Sequence, residues 1–237
     1  MRTRFGGVVR PGKPVVTMTL IGICVASFAL QLMVPNNWWT NTLMFVPGWG
    51  PTEPWRFITV AFVHSTSFFG HLLFNMYALY LTGRFLEPAL GRARFITLCL
   101  LSAVTGSVMV TLLSRPNLTM GGWWWGPPVV GASGIVFGLF GAMIPLLRKL
   151  GHDAYQVIGL LVINAVLGFM PGLNISWQGH LGGLLAGLAL GYGFAHAPRA
   201  KHRLVAWALP AAVFVIFAAA ALWKYQAEGW FQLLGWW

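Results

Sequence analysis

Acidic residues are almost missing from this chain: four Asp and Glu stand against fifteen Lys and Arg in 237 residues. Charged residues of both signs make up 8% of it, where a soluble domain carries roughly 25%. With 57% hydrophobic residues, that scarcity excludes an ordinary soluble domain and reads as a polytopic membrane protein. Cysteine is nearly absent as well. Cys24 and Cys99 both lie in apolar runs, without CxxC or metal-type spacing, and read as small packed side chains. No long polar insert separates the apolar segments, so one domain is expected. A net charge of +11 would point to nucleic acid in a soluble protein. Here the basic residues read as topology signals and contacts for anionic lipid headgroups, and nucleic acid is not an expected partner. The basic residues 1–14 lead into an apolar run without an A-x-A-type cleavage site, which reads as a retained first helix rather than a signal peptide.

What the chain does have is seven apolar stretches near membrane-spanning length, at about residues 15–34, 68–86, 95–113, 129–147, 155–170, 179–195 and 204–223. A helix needs ~20 residues to cross a ~30 Å hydrocarbon core. The fifth and sixth are short, which suits helices packed inside a bundle more than lipid-facing ones. Residues 35–67 are too apolar for a free linker and too broken by proline for a span, so a partly embedded or interfacial loop is expected. Trp123-Trp124-Trp125 and the closing Trp236-Trp237 look like interfacial anchors. With the N-terminus inside, inner segments hold twelve of the fifteen Lys and Arg, and outer segments only Arg56, Arg115 and Lys224. That positive-inside bias predicts an N-in, C-out topology.

Three patterns put chemistry where water is scarce: His71-Leu-Leu-Phe-Asn75, Gly131-Ala132-Ser133-Gly134 and Gly179-His180. Ionisable groups inside a bilayer are costly and usually functional. Serine is a weak nucleophile until an adjacent base takes its proton, and histidine is the usual base because its pKa lies near working pH. The predicted topology puts Ser133 and His180 at the same outer depth. Bringing them within hydrogen-bond reach needs small residues between helices. Gly179, Gly183, Gly187 and Gly191 recur every four residues beside His180, and Gly134, Gly138 and Ala142 do so beside Ser133. Ordinary small-residue packing explains either row alone, but less readily both rows with a serine and a histidine at one depth. Ile135 stands where the soluble G-x-S-x-G elbow needs glycine, and Pro127-Pro128 precedes. Ser133 is therefore expected in the first turn of a helix, where unpaired N–H groups and the positive dipole end suit a developing oxyanion. His71 and Asn75, four apart, share one helix face as candidate oxyanion donors or as a buried polar pair joining helices.

A metal site is the rival use of His64, His71 and His180. No Asp, Glu or Cys accompanies them at ligand spacing and HExxH is absent, so neither metal nor cofactor is expected. His152, His196 and His202 fall near inner loops and are expected to be solvated. Asn117 and Asn174 begin N-x-[ST] sequons on the predicted outer side.

Over residues 15–195 the chain resembles the rhomboid family of intramembrane serine proteases. The motifs that carry the resemblance occur in the family's order: Trp55-Arg56, His71-x-x-x-Asn75, Gly83-x-x-x-Glu87-x-x-x-Gly91, Gly131-x-Ser133-Gly134 and Gly179-His180-x-x-Gly183-x-x-x-Gly187. The resemblance implies an all-α, six-helix core at 15–195, after a basic cytoplasmic N-terminus at 1–14. A basic loop, a seventh transmembrane helix and an aromatic tail at 196–237 would follow. It implies a Ser133–His180 dyad with no acidic third member. His71, Asn75 and the Ser133 backbone N–H would form the oxyanion hole. Gly131, Gly134, Gly179 and Gly183 would support the dyad. Phe137 occupies a position where many members carry a Tyr that stacks on the catalytic histidine; Phe keeps the ring and loses the hydroxyl. The implied cavity opens outward, gated by the fifth helix and the loop before the sixth. Implied partners are the lipid bilayer and single-span membrane proteins whose helix is locally unstable. The compact form leans towards a bacterial cell membrane. Two other classes compete: a catalytically inactive rhomboid-like protein that binds membrane helices, and a transporter with a midplane polar site. Inactive relatives typically lose the serine or the histidine, and this chain keeps both.

Overall fold

The computed structural model describes residues 3–6, 13–116, 125–168 and 175–229. Outside these lie Arg2, Arg10, both sequon asparagines, Trp123, Trp124, the closing tryptophans and the end of the fifth predicted span. The described chain is all-α: α1 (Val15–Met33), α2 (Trp38–Leu43), α3 (Arg56–Thr59), α4 (Phe69–Leu90), α5 (Arg92–Leu113), α6 (Ser133–Leu150), α7 (Tyr155–Gly168), α8 (Trp177–His196) and α9 (His202–Ala227). Its one β-type pairing among the described residues is an isolated antiparallel bridge, Phe45 with Val129.

Among the described residues, four segments are long and apolar enough to cross a membrane: α1, α5, α6 and Arg199–Ala227, which contains α9. The helices α4 and α8 have the length, 22 and 20 residues. Their apolar runs are broken by His71, Asn75, Arg84 and Glu87 in one and by Gln178, His180 and glycines in the other. These two more polar full-length helices carry His71, Asn75 and His180, while Ser133 begins the apolar α6. α8 is central, packed between α5 and α6. α7, at 14 residues, is not the interior helix its shortness led us to expect. Its Leu160, Val162, Ile163 and Val166 are all exposed, as a helix flanking a bundle in lipid would be.

Local chemistry explains the joints. Gly83, Glu87 and Gly91 divide one task. Glu87, 4% exposed, accepts the Val16 and Thr17 amides (3.0 and 2.9 Å) and the Thr17 hydroxyl (2.8 Å), satisfying the orphan N–H groups at the start of α1. Gly83 has no Cβ to strike Thr17. Gly91 turns α4 into α5 at φ +81°, a backbone conformation that L side chains rarely adopt. A charge-assisted bond of this kind contributes about 1.5–3 kcal/mol, and a buried donor left stranded costs about 1–3 kcal/mol. Glu87→Ala is therefore expected to lower the unfolding temperature in detergent well beyond Glu228→Ala, which removes a partly exposed carboxylate paired with Lys224 one turn back, checked by thermal denaturation of both.

The loop between α1 and α4 is organised by Arg56, which is 5% exposed. Its guanidinium donates to Asn41 O (2.6 Å), Met44 O (2.8 Å) and Glu53 Oε2 (2.7 Å) and lies 4.8 Å above the Trp49 ring. At one end of the bundle Arg94 donates to the carbonyls of Phe5 and His202, joining three segments expected on the inner side. His202 is not solvated: it is 8% exposed and its Nε2 lies 2.9 Å from Ala197 O, closing the turn between α8 and α9. Trp125 departs from expectation too. At 1% exposure, packed 5.3 Å from the Tyr225 ring, it is core and not an interfacial anchor.

Candidate active site

Ser133 is the first residue of α6, His180 the fourth of α8, and His71 the third of α4. What joins the first two is backbone packed on backbone. A Cβ on Gly183 would overlap the Gly134 carbonyl oxygen and lie 2.9 Å from its carbon. One turn further, Gly187 meets Gly138 in the same way, and a Cβ on Gly191 would lie 2.6 Å from Ala142 Cα. The rows run in register, so the turns bearing Ser133 and His180 adjoin. Gly179 belongs to that row by spacing but not by contact. A Cβ there would meet only Ser176 and Val110 at ordinary distances, while its carbonyl oxygen packs towards Gly106 of α5, whose Cβ would come within 3.0 Å. Gly138 is pressed first against Ser102 of α5. The other flank of α8 is held by the Thr105 hydroxyl, which donates to Gly182 O at 3.0 Å. These α5 contacts escape a reading confined to two glycine rows.

The His180 imidazole lies flat on Phe137, with centroids 4.0 Å apart and planes 14° from parallel. Phe137 lies one turn after Ser133 on α6, so this stacking seats the imidazole on the helix that carries the serine. Ser133 and His180 are partly buried, and among the described residues neither side chain makes a hydrogen bond, to the other or elsewhere. Catalytic hydrogen bonds are often loose without substrate and tighten when it binds. Ser133 borders a cavity of about 20 Å³, room for one water, shared with Gly131, Ser107, Ser176 and Gly179.

The segment leading to Ser133 is fixed by its surroundings. Phe45 and Val129 exchange two backbone bonds of 3.0 and 2.8 Å, and Gly131 N–H donates to Val60 O at 3.0 Å. Ala132 N–H donates to His64 Nε2 at 3.4 Å. Gly131 has φ +123°, and a Cβ there would lie 2.7 Å from both Cε1 and Nε2 of His71. Only glycine meets both conditions. His71 Nδ1 accepts the Ser65 amide at 3.3 Å, so a neutral ring carries its proton on Nε2, the atom over Gly131. Asn75, 7% exposed, gives one amide hydrogen to His71 O at 2.8 Å and keeps the other.

His64 joins this layer, although the sequence offered it no role beyond a metal site that its spacing argues against. It is 1% exposed and meets the His71 ring edge-on at 5.3 Å. Its backbone is clamped by Gln31, which donates to His64 O (2.8 Å) and accepts its N–H (2.9 Å). Burial, and then the neighbouring His71, push its pKa down to about 3, so the ring is neutral and can accept the Ala132 amide. Ser176 Oγ is buried without a partner among the described residues. No group of three or more His, Cys, Asp or Glu among the described residues is placed to hold a metal ion.

Set against known proteins, residues 51–197 match the family model of the Rhomboid domain. The chain is 31% identical over 192 residues to Rhomboid protease GluP of Bacillus subtilis, covering 74% of this chain and 34% of that protein. It is 33% identical over 154 residues to RHOMBOID-like protein 1 of Arabidopsis thaliana, covering 62% and 36%. To Rhomboid protease GlpG of Haemophilus influenzae it is 27% identical over 188 residues, covering 75% and 89%. It thus spans about a third of the length of the first two relatives. With the matched region extending over most of an all-helical, membrane-type chain, this protein belongs to the rhomboid family.

Proposed function

We propose that the chain is an intramembrane serine endopeptidase that cleaves transmembrane segments of membrane proteins, with Ser133 as nucleophile and His180 as its base. The observation that carries this is the backbone contact of Gly134 with Gly183, which adjoins the turns bearing the two residues while Phe137 orients the imidazole. Ser133 Oγ attacks the scissile carbonyl carbon as His180 takes its proton. The negative charge gathers on the carbonyl oxygen, facing the His71 Nε2–H, the Asn75 amide and the first-turn N–H of Ser133. His180 passes its proton to the departing amine. A water then gives a proton to His180 and attacks the acyl carbon, and His180 returns that proton to Ser133 Oγ as its bond to the acyl carbon breaks.

A helical peptide bond is shielded by its own hydrogen bonds, so a substrate must unwind locally, and small or helix-breaking residues make that cheaper. In this reading the site opens towards the outer side of an N-in, C-out protein in a bacterial cell membrane. The test is cleavage in liposomes of a single-span substrate with such residues near its outer end, beside one whose span is all leucine. The first is expected to be cut and the second left whole. A chain that binds the first without cutting it would be an inactive helix-binding relative. In the same assay His71→Ala and Asn75→Ala are each expected to lower kcat about 10²–10³-fold with little change in KM, because the charge they meet exists only in the transition state. Normal kcat with lower thermal stability would assign them a structural role instead.

A further inference from the structure

The helix α9 lies beyond the residues matched by the family model, yet its far end is anchored among the loops that lead to Ser133. Tyr225 is the anchor. It is 2% exposed, and its hydroxyl donates to Pro47 O at 2.7 Å and lies 3.5 Å from Thr111 Oγ1. Its ring meets Trp125 at 5.3 Å. A Cβ on Gly50 would collide with the hydroxyl, so the loop backbone closes directly around it. Tyr225 and Ala221 share a small buried cluster with Val108 and Trp125, apart from the main core. One side chain therefore ties together the loop before α4, the helix α5 and the start of the segment that delivers Ser133. Two residues from Pro47, Phe45 holds Val129 through paired backbone bonds. Trp125 lies on the same short strand of chain, eight residues before Ser133.

We propose that Tyr225 is a positioning residue for the nucleophile: α9 bolts the 125–132 segment against the loop and so sets where Ser133 sits. The consequence for catalysis rests on the reading of Ser133 as nucleophile; the anchoring itself does not. Small displacements of a reacting group can cost ~10²-fold in rate. In the full chain, Tyr225→Ala is expected to raise amide exchange at Val129 and Gly131 at least ~10-fold. It should lower both kcat and the rate at which a fluorophosphonate modifies Ser133 by a similar factor or more, with KM nearly unchanged. Tyr225→Phe keeps the ring on Trp125 and is expected to restore part of each loss. Val213→Ala removes a buried side chain from the same helix but from the main core. It serves as the control for a general loss of stability and should leave the exchange of the segment and both rates near wild type. Equal exchange and equal rates in Tyr225→Ala and Val213→Ala would overturn the proposal. Should Tyr225→Ala fail to fold, Tyr225→Phe decides: faster exchange at Val129 upholds the bolt, and wild-type exchange overturns it. A wild-type chain inert to the fluorophosphonate but still showing the exchange difference would keep the anchor and remove the nucleophile.

Discussion

Replacing Ser133 by alanine is expected to abolish cleavage of a transmembrane substrate while leaving the unfolding temperature within a degree or two. Only a hydroxyl is removed, from a half-buried position where it makes no hydrogen bond among the described residues. His180→Ala should lower kcat by ~10²–10⁴-fold or more, since a serine without its base is a poor nucleophile. The double variant should be no worse than Ser133→Ala alone, because residues that act as one unit are not additive. His180→Ala is also expected to leave a gap against Phe137, so its stability should fall more than that of Ser133→Ala. Kinetics on reconstituted protein and thermal denaturation in detergent read the two effects separately. Wild-type turnover in Ser133→Ala would end the proposed mechanism.

A second large effect is expected where no reacting atom is touched. Gly183→Val has no space to enter, since its first carbon already meets the Gly134 backbone. Backbone cannot swing aside as the tip of a side chain can, so α6 and α8 must separate by an ångström or more. Activity should fall about 10²-fold or further, with a loss of stability in detergent. Gly193→Val on the same helix should be much milder, because the nearest atom there is the flexible end of Leu209 on α9. Gly22→Ala, with nothing within 4 Å, should be neutral. Equal activity in Gly183→Val and Gly193→Val would show that this contact is not what brings the two turns together.

The helices and the glycine rows were legible because both are periodic. A spacing of four recurs down one face, and a sequence records that directly. The rows also marked which faces meet, Gly183 on Gly134 and Gly187 on Gly138. What spacing could not reveal is the third helix at the junction. Thr105, Gly106, Met109 and Val110 of α5 meet α8 along a face of mixed residue types that no row of glycines marks. His64, Trp125, His202 and Tyr225 were illegible for a related reason. Each owes its burial to a partner in a distant segment, such as Tyr225 to Pro47 across 178 positions. An aromatic or histidine beside a predicted membrane boundary reads as an anchor or a solvated group until the fold closes over it. The fifth span misled through its length. A short helix can be internal or merely short, and the exposed side chains of α7 decide for the second.

The most direct measurement is to treat the reconstituted protein with a fluorophosphonate and locate the adduct by peptide mass spectrometry, in the wild type and in His180→Ala. The expected result is one adduct, on Ser133, that is lost or slowed by ~10²–10⁴-fold when the histidine is removed. An adduct on Ser107 or Ser176, which border the same cavity, would contradict it, as would undiminished labelling of Ser133 without His180.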